Sequence, residues 1–128
     1  PIIGRPKSAT FRTADVVVIQ SGDEWFWQQR EAHGLWGGLY CLPIIEQATE
    51  LQQIEQHFKL QAQVSSLQIS HSFTHFTWVL NEKLFHVEHD QKEQLSIELN
   101  GIWLSPEAAI AKGIPTAMKK LIVAKQKA

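Results

Sequence analysis

A chain of 128 residues, 44% of them hydrophobic and 20% charged, has the composition of a globular protein and the length of one domain. No apolar run approaches the roughly 20 residues that a membrane-spanning helix needs. The single cysteine, Cys41, excludes an internal disulfide and any metal cluster built on several cysteines of this chain. The net charge is −1, yet residues 32–45 and 60–81 hold no Asp, Glu, Lys or Arg. A phosphate backbone meets no carboxylate in these two windows, so the charge pattern permits a nucleic-acid partner without requiring one.

The first elements are a linker and a hairpin. Residues 1–13 are polar, contain two prolines and predict an interdomain linker, and the start at Pro1 rather than Met predicts a fragment of a longer protein. The run VVVIQ at 16–20 predicts a strand that is buried on both faces. The turn residues SGDE lead into WFWQQR at 25–30, which predicts the second strand of a hairpin. A glycine-rich loop should then lead to a short strand at 39–42.

Helices and strands mix in the remainder of the chain. The apolar spacing of Leu51, Ile54 and Phe58 predicts a helix over about 47–58. Strands are predicted at 61–70 and 101–105, and FTWVLNEKLFHVEH (76–89) predicts one long strand or two. Ser105 followed by Pro106 predicts a helix start, with Gly113 as its end, and Thr116 is expected to cap a last helix that runs to about Lys125. The order is that of a mixed α+β domain rather than a βαβ repeat.

The entrance to the strand at 76 has an unusual composition. In HSFTH (71–75), two histidines and two hydroxyl side chains surround Phe73. The composition of the segment raises the question of what such a cluster does where the chain enters a strand, and a structural role for each of its residues remains open.

Two segments together resemble a known family. QQREAHGLWGGLYCLP and the later HSFTHF are similar to motifs in the C-terminal domain of the A/G-specific adenine DNA glycosylases, the MutY family. Members show Gln-Gln-Arg, a Gly-Leu-Trp-Gly-Gly-Leu run that ends in Phe/Leu-Pro, and His-x-Phe-Ser-His-Phe or a close variant. The resemblance extends from about Thr13 to the final helix. Thr74 stands where the family usually has Ser, which keeps the hydroxyl and adds a methyl group.

The resemblance implies a fold and a function. The expected fold is the Nudix (MutT-like) fold over residues 14–128: a mixed sheet, one central helix and C-terminal helices. The family's enzyme removes adenine paired with 8-oxoguanine in base excision repair, and this domain inspects the oxidised base. The implied partners are double-stranded DNA with an 8-oxoguanine:adenine pair and the catalytic domain of the same protein, which carries a four-iron four-sulfur cluster. This chain is expected to be a monomer without cofactor, metal or catalytic residue, in a bacterial cytoplasm.

The same resemblance assigns the nucleic-acid-binding residues. A hydroxyl both donates and accepts, so Thr74, or the backbone beside it, is expected to read the N7–H and O8 edge of 8-oxoguanine. Phe73 is expected to wedge beside the lesion or to stack on a base. Ser72 and His75 are expected to contact phosphates or to hold the turn in shape.

Other functions and roles remain open at this point. A Nudix-type nucleotide pyrophosphatase needs Arg-Glu-Leu-x-Glu-Glu-x-Gly on a helix to gather carboxylates around Mg²⁺. The helix here carries Glu46, Glu50 and Glu55 without an adjacent pair, so we expect no such hydrolysis. A protein-interaction module is the other alternative. At the residue level, Phe73 can also be core and Thr74 a plain turn residue, and Trp36-Gly37-Gly38 is expected to be a packed turn rather than a DNA-facing loop.

Overall fold

The computed structural model describes residues 10–127, which form one mixed sheet and four helices. The strands are β1 (Phe11–Ser21), β2 (Glu24–Gln29), β3 (Tyr40–Cys41), β4 (Ile44–Ile45), β5 (Gln68–Ser72), β6 (Thr77–His86) and β7 (Ile102–Leu104). The helices are α1 (Ala48–Phe58), α2 (Lys92–Leu99), α3 (Pro106–Lys112) and α4 (Thr116–Lys127), and a 3₁₀ turn (His89–Gln91) precedes α2. The predicted α+β class is confirmed. No helix within residues 10–127 is long and apolar enough to cross a membrane.

The sheet is built around one long parallel pair. Its main strand order is β3-β2-β1-β6-β5, with β4 also paired to β1 and β7 to β2. Strands β1 and β6 run parallel from Phe11↔Thr77 to Gln20↔His86, and every other pairing is antiparallel. This pairing places the start of β1 directly beside the start of β6, where the segment 71–75 enters the sheet.

Both faces of β1 are covered, as the run VVVIQ predicts. Val16 and Val18 point to one face and belong to a hydrophobic cluster that includes residues of α3 and α4. Val17 and Ile19 point to the other face and belong to a second cluster that includes residues of α1 and α2. All four valine and isoleucine side chains are buried. Helices cover both faces of β1. An alternating apolar and polar sequence would bury polar side chains on one of these faces, so a continuous apolar run is expected.

Most predicted elements are confirmed, with small shifts of their ends. The β1–β2 hairpin turns at Gly22-Asp23, between Ser21 and Glu24. Helix α1 spans Ala48–Phe58 and β6 is one uninterrupted strand. Ser105 caps α3 by accepting a hydrogen bond from the N–H of Ala108, and Gly113 ends that helix.

Three predictions on elements need correction, and two further elements are not predicted. The predicted strand 61–70 begins only at Gln68, with a single bridge from Gln63 to Leu84 before it. Thr116 is the first helical residue of α4 rather than its cap, and the carbonyl of Pro115 accepts the first hydrogen bonds. Strand β1 starts at Phe11, inside the predicted linker, whereas residues 1–9 of that linker lie outside the described residues. Helix α2 and strand β4 were not predicted.

The reason for the late start of β5 is a local hydrogen-bond network. The Ser65 hydroxyl donates to Oε1 of Glu82 at 2.6 Å, and the N–H of Leu67 donates back to the same hydroxyl at 3.2 Å. The N–H of Glu82 donates to the carbonyl of Leu67 at 3.0 Å. Side-chain bonds of serine to nearby backbone compete with a regular ladder, so this segment turns before it pairs.

Candidate nucleic-acid interface

The segment HSFTH forms the end of the β5–β6 hairpin. Ser72 pairs with Thr77 as the last ladder position, and their hydroxyl oxygens lie 3.1 Å apart. The N–H of Phe73 donates to the carbonyl of Phe76 at 2.7 Å. Thr74 and His75 then form the exposed tip of a turn that spans residues 73–76. We call residues 73–76 the reading turn.

Five aromatic rings pack under the reading turn. We call Trp36, His71, Phe73, Phe76 and Trp78 the aromatic cluster. The ring of Phe73 lies 4.8 Å from His71, 4.8 Å from Phe76, 5.7 Å from Trp36 and 6.3 Å from Trp78, measured between centroids. These separations are those of favourable aromatic pairs, each of which contributes about 0.5–1.5 kcal/mol beyond area burial. Phe73 thus anchors the turn from below while its neighbour Thr74 faces solvent.

The cluster brings together the two motifs on which the resemblance rests. Trp36 comes from the loop GLWGG, and its ring centroid lies 5.8 Å from that of His71 and 5.5 Å from that of Trp78. The backbone of Trp36 has φ +56°, the left-handed region, which costs a bulky residue about 1–3 kcal/mol. The expected packed turn at Trp36-Gly37-Gly38 is thus present, and its packing partner is the reading turn.

Two cationic side chains near the turn, those of Arg12 and Lys120, have partners. Arg12 lies over the ring of Phe76 at 4.8 Å and over that of Trp78 at 5.8 Å. Its guanidinium also pairs with Glu46 at 2.7 Å. Lys120 of α4 donates to the carbonyl of Ser70 on β5 at 3.3 Å. The turn therefore presents hydroxyl and imidazole groups on a surface flanked by two cationic side chains, a combination that suits a nucleic acid.

Two polar atoms inside the aromatic cluster have no hydrogen-bond partner among the described residues. They are Nδ1 of His71 and Nε1 of Trp78, on residues that face each other across β5 and β6. Burial, and secondly the charge of Lys120, lower the pKa of His71 below its ordinary value of 6.5. The imidazole is therefore held neutral within the cluster at neutral pH.

The four predicted site residues lie together. Ser72 is exposed at the end of β5, Thr74 and His75 are exposed at the tip, and Phe73 is half-buried below them. Phe73 packs inward against four rings, and its expected role as a wedge or stacking residue stays a prediction. No group of three His, Cys, Asp or Glu side chains within residues 10–127, including any with His71 or His75, is placed to hold a metal ion.

The carboxylates of α1 and its entry do not fit the Mg²⁺ centre that Nudix hydrolysis needs. Glu46 is paired with Arg12, and Glu50 is exposed on the first turn of the helix. A cleft of about 540 Å³ lies between α1 and the loop after β2, and Glu50 is the only residue of α1 with a carboxylate along it. Cys41 also borders this cleft, and burial raises the pKa of its thiol to about 12 despite the opposing charge of Arg30. The carboxylates of Glu31 and Glu50 line this cleft, and no group of three His, Cys, Asp or Glu side chains within residues 10–127 is placed to hold a metal ion, so the carboxylate cluster that Mg²⁺ requires is not formed by these residues.

Comparison with known proteins establishes the family. The sequence profile of the NUDIX domain matches residues 15–124, a profile that is also found in MutY C-terminal domains. The chain belongs to the NUDIX domain family. The structure is similar to the solution structure of the E. coli ORF135 protein, with a TM-score of 0.62 and 15% identity over 97% of this chain and 94% of that one.

A second solved structure is similar over most of its length. It is the C-terminal domain of mouse MUTYH, determined in complex with human PCNA, with a TM-score of 0.55 and 18% identity over 90% of this chain and 87% of that one. At such identities the two likenesses establish the fold. The predicted Nudix fold and the predicted resemblance to MutY C-terminal domains are confirmed.

Sequence reasoning did not predict two contacts of the reading turn. Trp36 was expected to be structural, but nothing in the sequence indicated that it packs against Phe73. Arg12 was placed in the linker, whereas it lies in β1 over the ring of Phe76. The available signal for a contact between Trp36 and Phe73 was that both motifs belong to the same family pattern. That pattern associates the two segments but gives no distance between them.

Proposed function

We propose that this domain recognises 8-oxoguanine paired with adenine in double-stranded DNA, as the lesion-reading part of an adenine DNA glycosylase, and that it carries out no chemistry itself. The observation that carries the proposal is the reading turn, whose tip offers the Thr74 hydroxyl to solvent above an anchored Phe73. Membership of the NUDIX family and the likeness to the MUTYH C-terminal domain support the glycosylase context.

The chemistry of the lesion favours a hydroxyl reader. Guanine presents N7 as an acceptor, which an arginine reads with two N–H groups. Oxidation at C8 adds a carbonyl oxygen and places a hydrogen on N7, so an acceptor and a donor now lie side by side. Thr74 can accept from N7–H, and it or a neighbouring backbone N–H can donate to O8. The two contacts together distinguish the oxidised purine, because guanine has no O8 acceptor for the backbone N–H, although the hydroxyl alone could also donate to the N7 of guanine.

The residues around Thr74 have supporting roles in this proposal. Phe73 sets the height of the tip by packing into the aromatic cluster. His75 is exposed beside Thr74 and contacts the DNA backbone or an adjacent base edge. Ser72 keeps its hydroxyl close to that of Thr77 and stiffens the neck of the turn.

The energy of one base contact limits what the domain does alone. A good base-edge contact discriminates by roughly 1–3 kcal/mol, which is about five- to 150-fold. Finding one lesion in a genome of normal pairs requires far more discrimination. The domain therefore acts together with the catalytic domain of the same protein, and each gains affinity from the high effective concentration of the other.

The test uses the parent enzyme with both domains and compares adenine removal from 8-oxoguanine:adenine and guanine:adenine duplexes. Thr74→Ala should lower kcat/KM for the lesion duplex about tenfold with little effect on the guanine duplex, because one reading contact is lost. Phe73→Ala combined with Thr74→Ala should reduce the preference further. Thr74→Ser is the matched control and should retain the preference, since it keeps the hydroxyl.

The contrary outcome is equally clear. If Thr74→Ala lowers kcat/KM equally on both duplexes, the turn does not read the oxidised base. The isolated domain supplies a second measurement, in which lesion and normal duplexes of one sequence are titrated at fixed salt, because salt alone changes such affinities by orders of magnitude. Equal affinities for both duplexes count against the proposal, and an absence of binding to either points to a protein-interaction module.

A further inference from the structure

We propose that Trp36 is a positioning residue for the reading turn: its indole holds Phe73 inward and thereby keeps Thr74 and His75 pointing outward. The packing role of Trp36 does not depend on what the domain binds. Its consequence for lesion recognition rests on the proposed function. The geometry points to Trp36 because it connects a strained loop to the base of the turn through three aromatic neighbours, His71, Phe73 and Trp78.

The backbone of Trp36 is held in an unfavourable conformation. A positive φ of 56° is common for glycine and Asn but is an outlier for a bulky side chain. Such strain persists only where the surrounding contacts hold the backbone in that conformation, and strained residues are concentrated at functional sites. The two glycines that follow supply the flexibility, yet the strained position itself is occupied by tryptophan. We therefore infer that the loop holds the indole ring of Trp36 in a fixed position.

The surrounding loop explains how the strain is maintained. The N–H of Gly38 donates to the carbonyl of Arg30 at 3.1 Å, and the N–H of Arg30 donates to that of Leu39 at 2.8 Å. The N–H of Leu39 donates to the carbonyl of Trp36 itself at 3.1 Å. Gly37 has no room for a side chain, because a Cβ there would overlap the carbonyl oxygen of Ala32. The loop is thus closed by backbone bonds on both sides of Trp36.

The reading turn, by contrast, has few bonds of its own. One backbone hydrogen bond, from Phe73 to Phe76, and one hydroxyl pair, Ser72 and Thr77, close it. A turn with so few bonds and an exposed tip opens locally at low cost unless a side chain anchors it. Phe73 is that anchor, and Trp36 is the one member of its cluster that comes from outside the β5–β6 hairpin. Removal of the indole leaves Phe73 with aromatic partners that all belong to the β5–β6 hairpin.

The experiment measures amide hydrogen exchange in this chain and lesion preference in the parent enzyme. Trp36→Ala removes the ring and keeps the strain, Trp36→Gly removes both, and Trp36→Phe keeps an aromatic ring. Leu39→Ala is the matched control, a large-to-small change in the same loop outside the aromatic cluster. The amide of Phe73 reports the turn, and that of Val18 in the centre of β1 reports the fold.

With Trp36→Ala and Trp36→Gly, we expect exchange at Phe73 to rise about tenfold or more while Val18 is unchanged. Trp36→Phe should restore most of the protection, and Leu39→Ala should leave the Phe73 amide as in the parent chain. Because Trp36→Gly relieves the backbone, agreement between the glycine and alanine variants assigns the effect to the ring. Unchanged exchange at Phe73 in both variants would overturn the inference.

The two readouts separate this inference from the proposed function. Faster exchange with a lower preference for 8-oxoguanine:adenine over guanine:adenine supports both. Faster exchange with an unchanged preference supports the positioning role and overturns reading by the turn. A lower preference without faster exchange overturns the positioning role. If Trp36→Ala also raises exchange at Val18, the substitution has destabilised the whole fold. The comparison is then made with Trp36→Phe, for which the exchange rate at Phe73 must lie between those of the parent chain and Trp36→Ala.

Discussion

His71 is the residue whose environment departs most from what its sequence context implies. Within HSFTH it is one of several polar residues, yet its ring lies among aromatic side chains, and its buried Nδ1 has no described partner. A neutral imidazole packs there as an aromatic ring, whereas an imidazolium would carry an uncompensated charge into the cluster. The stability of the reading turn is consequently linked to the protonation of this side chain.

The linkage predicts a loss of stability in acid. Because the pKa of folded His71 lies below its ordinary value of 6.5, the unfolded chain binds the proton more readily. The contribution of His71 is complete above pH 6.5 and declines as the pH falls from 6.5 toward the lower folded pKa. His71→Phe should therefore reduce the drop in urea midpoint between pH 7.5 and pH 5. His86→Gln, at an exposed position, is the control, and an equal drop in all three proteins contradicts the linkage.

At the scale of elements, a largely buried ion pair adds to the apolar packing between α4 and the sheet. Nζ of Lys125 lies 2.6 Å from Oε2 of Glu82, whose side chain is only 3% exposed. Lys125 also lies over the ring of Trp25 at 5.8 Å, and Ser65 donates to the other carboxylate oxygen. Both oxygens of Glu82 are thus satisfied. Helix α4 in turn contacts β5, the strand that leads into the reading turn.

Removing one partner of this ion pair should destabilise the protein more than replacing both charged residues by apolar ones. Lys125→Met leaves Glu82 buried without its counter-ion and should lower the free energy of unfolding by about 2–3 kcal/mol. Glu82→Leu combined with Lys125→Met removes both charges and should recover most of that loss. Urea denaturation of the single and double variants measures the difference. Lys119→Met on the exposed face of α4 is the control, and a Lys125→Met variant as stable as Lys119→Met would contradict the prediction.

At the scale of the whole molecule, Cys41 reports on the integrity of the core. It lies in β3, is 1% exposed, and burial raises the pKa of its thiol to about 12. The thiolate is the reactive form, so the folded protein offers almost none of it to a reagent. We expect Cys41 in the native protein to react with a thiol reagent at neutral pH at least a hundredfold more slowly than in urea, because reaction requires opening of the core.

The labelling rate is measured by mass spectrometry at increasing urea concentration, with a short unfolded peptide around Cys41 as the control. The rate should follow the unfolding transition seen by tryptophan fluorescence. Rapid labelling without urea would show that the cleft beside β3 admits the reagent, and the burial argument would then be wrong.

The elements that were predicted correctly share strong local signals. The run VVVIQ, the α1 spacing and Ser105-Pro106 each identify an element through neighbours in sequence. Helix α2 has no such signal, because Leu95 is its only buried side chain and Ile97 is exposed. Its N-cap residue, Gln91, makes no side-chain capping bond, and the 3₁₀ turn before it begins with a capping box between Glu88 and Gln91 instead of the usual Ser, Thr, Asp or Asn.

The sequence by itself determined the α+β class and the buried central strand, since periodicity is a local property, and its resemblance to the MutY family indicated the segment 71–75 as the candidate site. Only the tertiary structure decided which side of that segment faces solvent. The parallel pairing of β1 with β6 places Arg12 beside the reading turn, and the loop after β2 places Trp36 beneath it. Contacts between residues so distant in the chain depend on packing of the whole sheet, which no local pattern encodes.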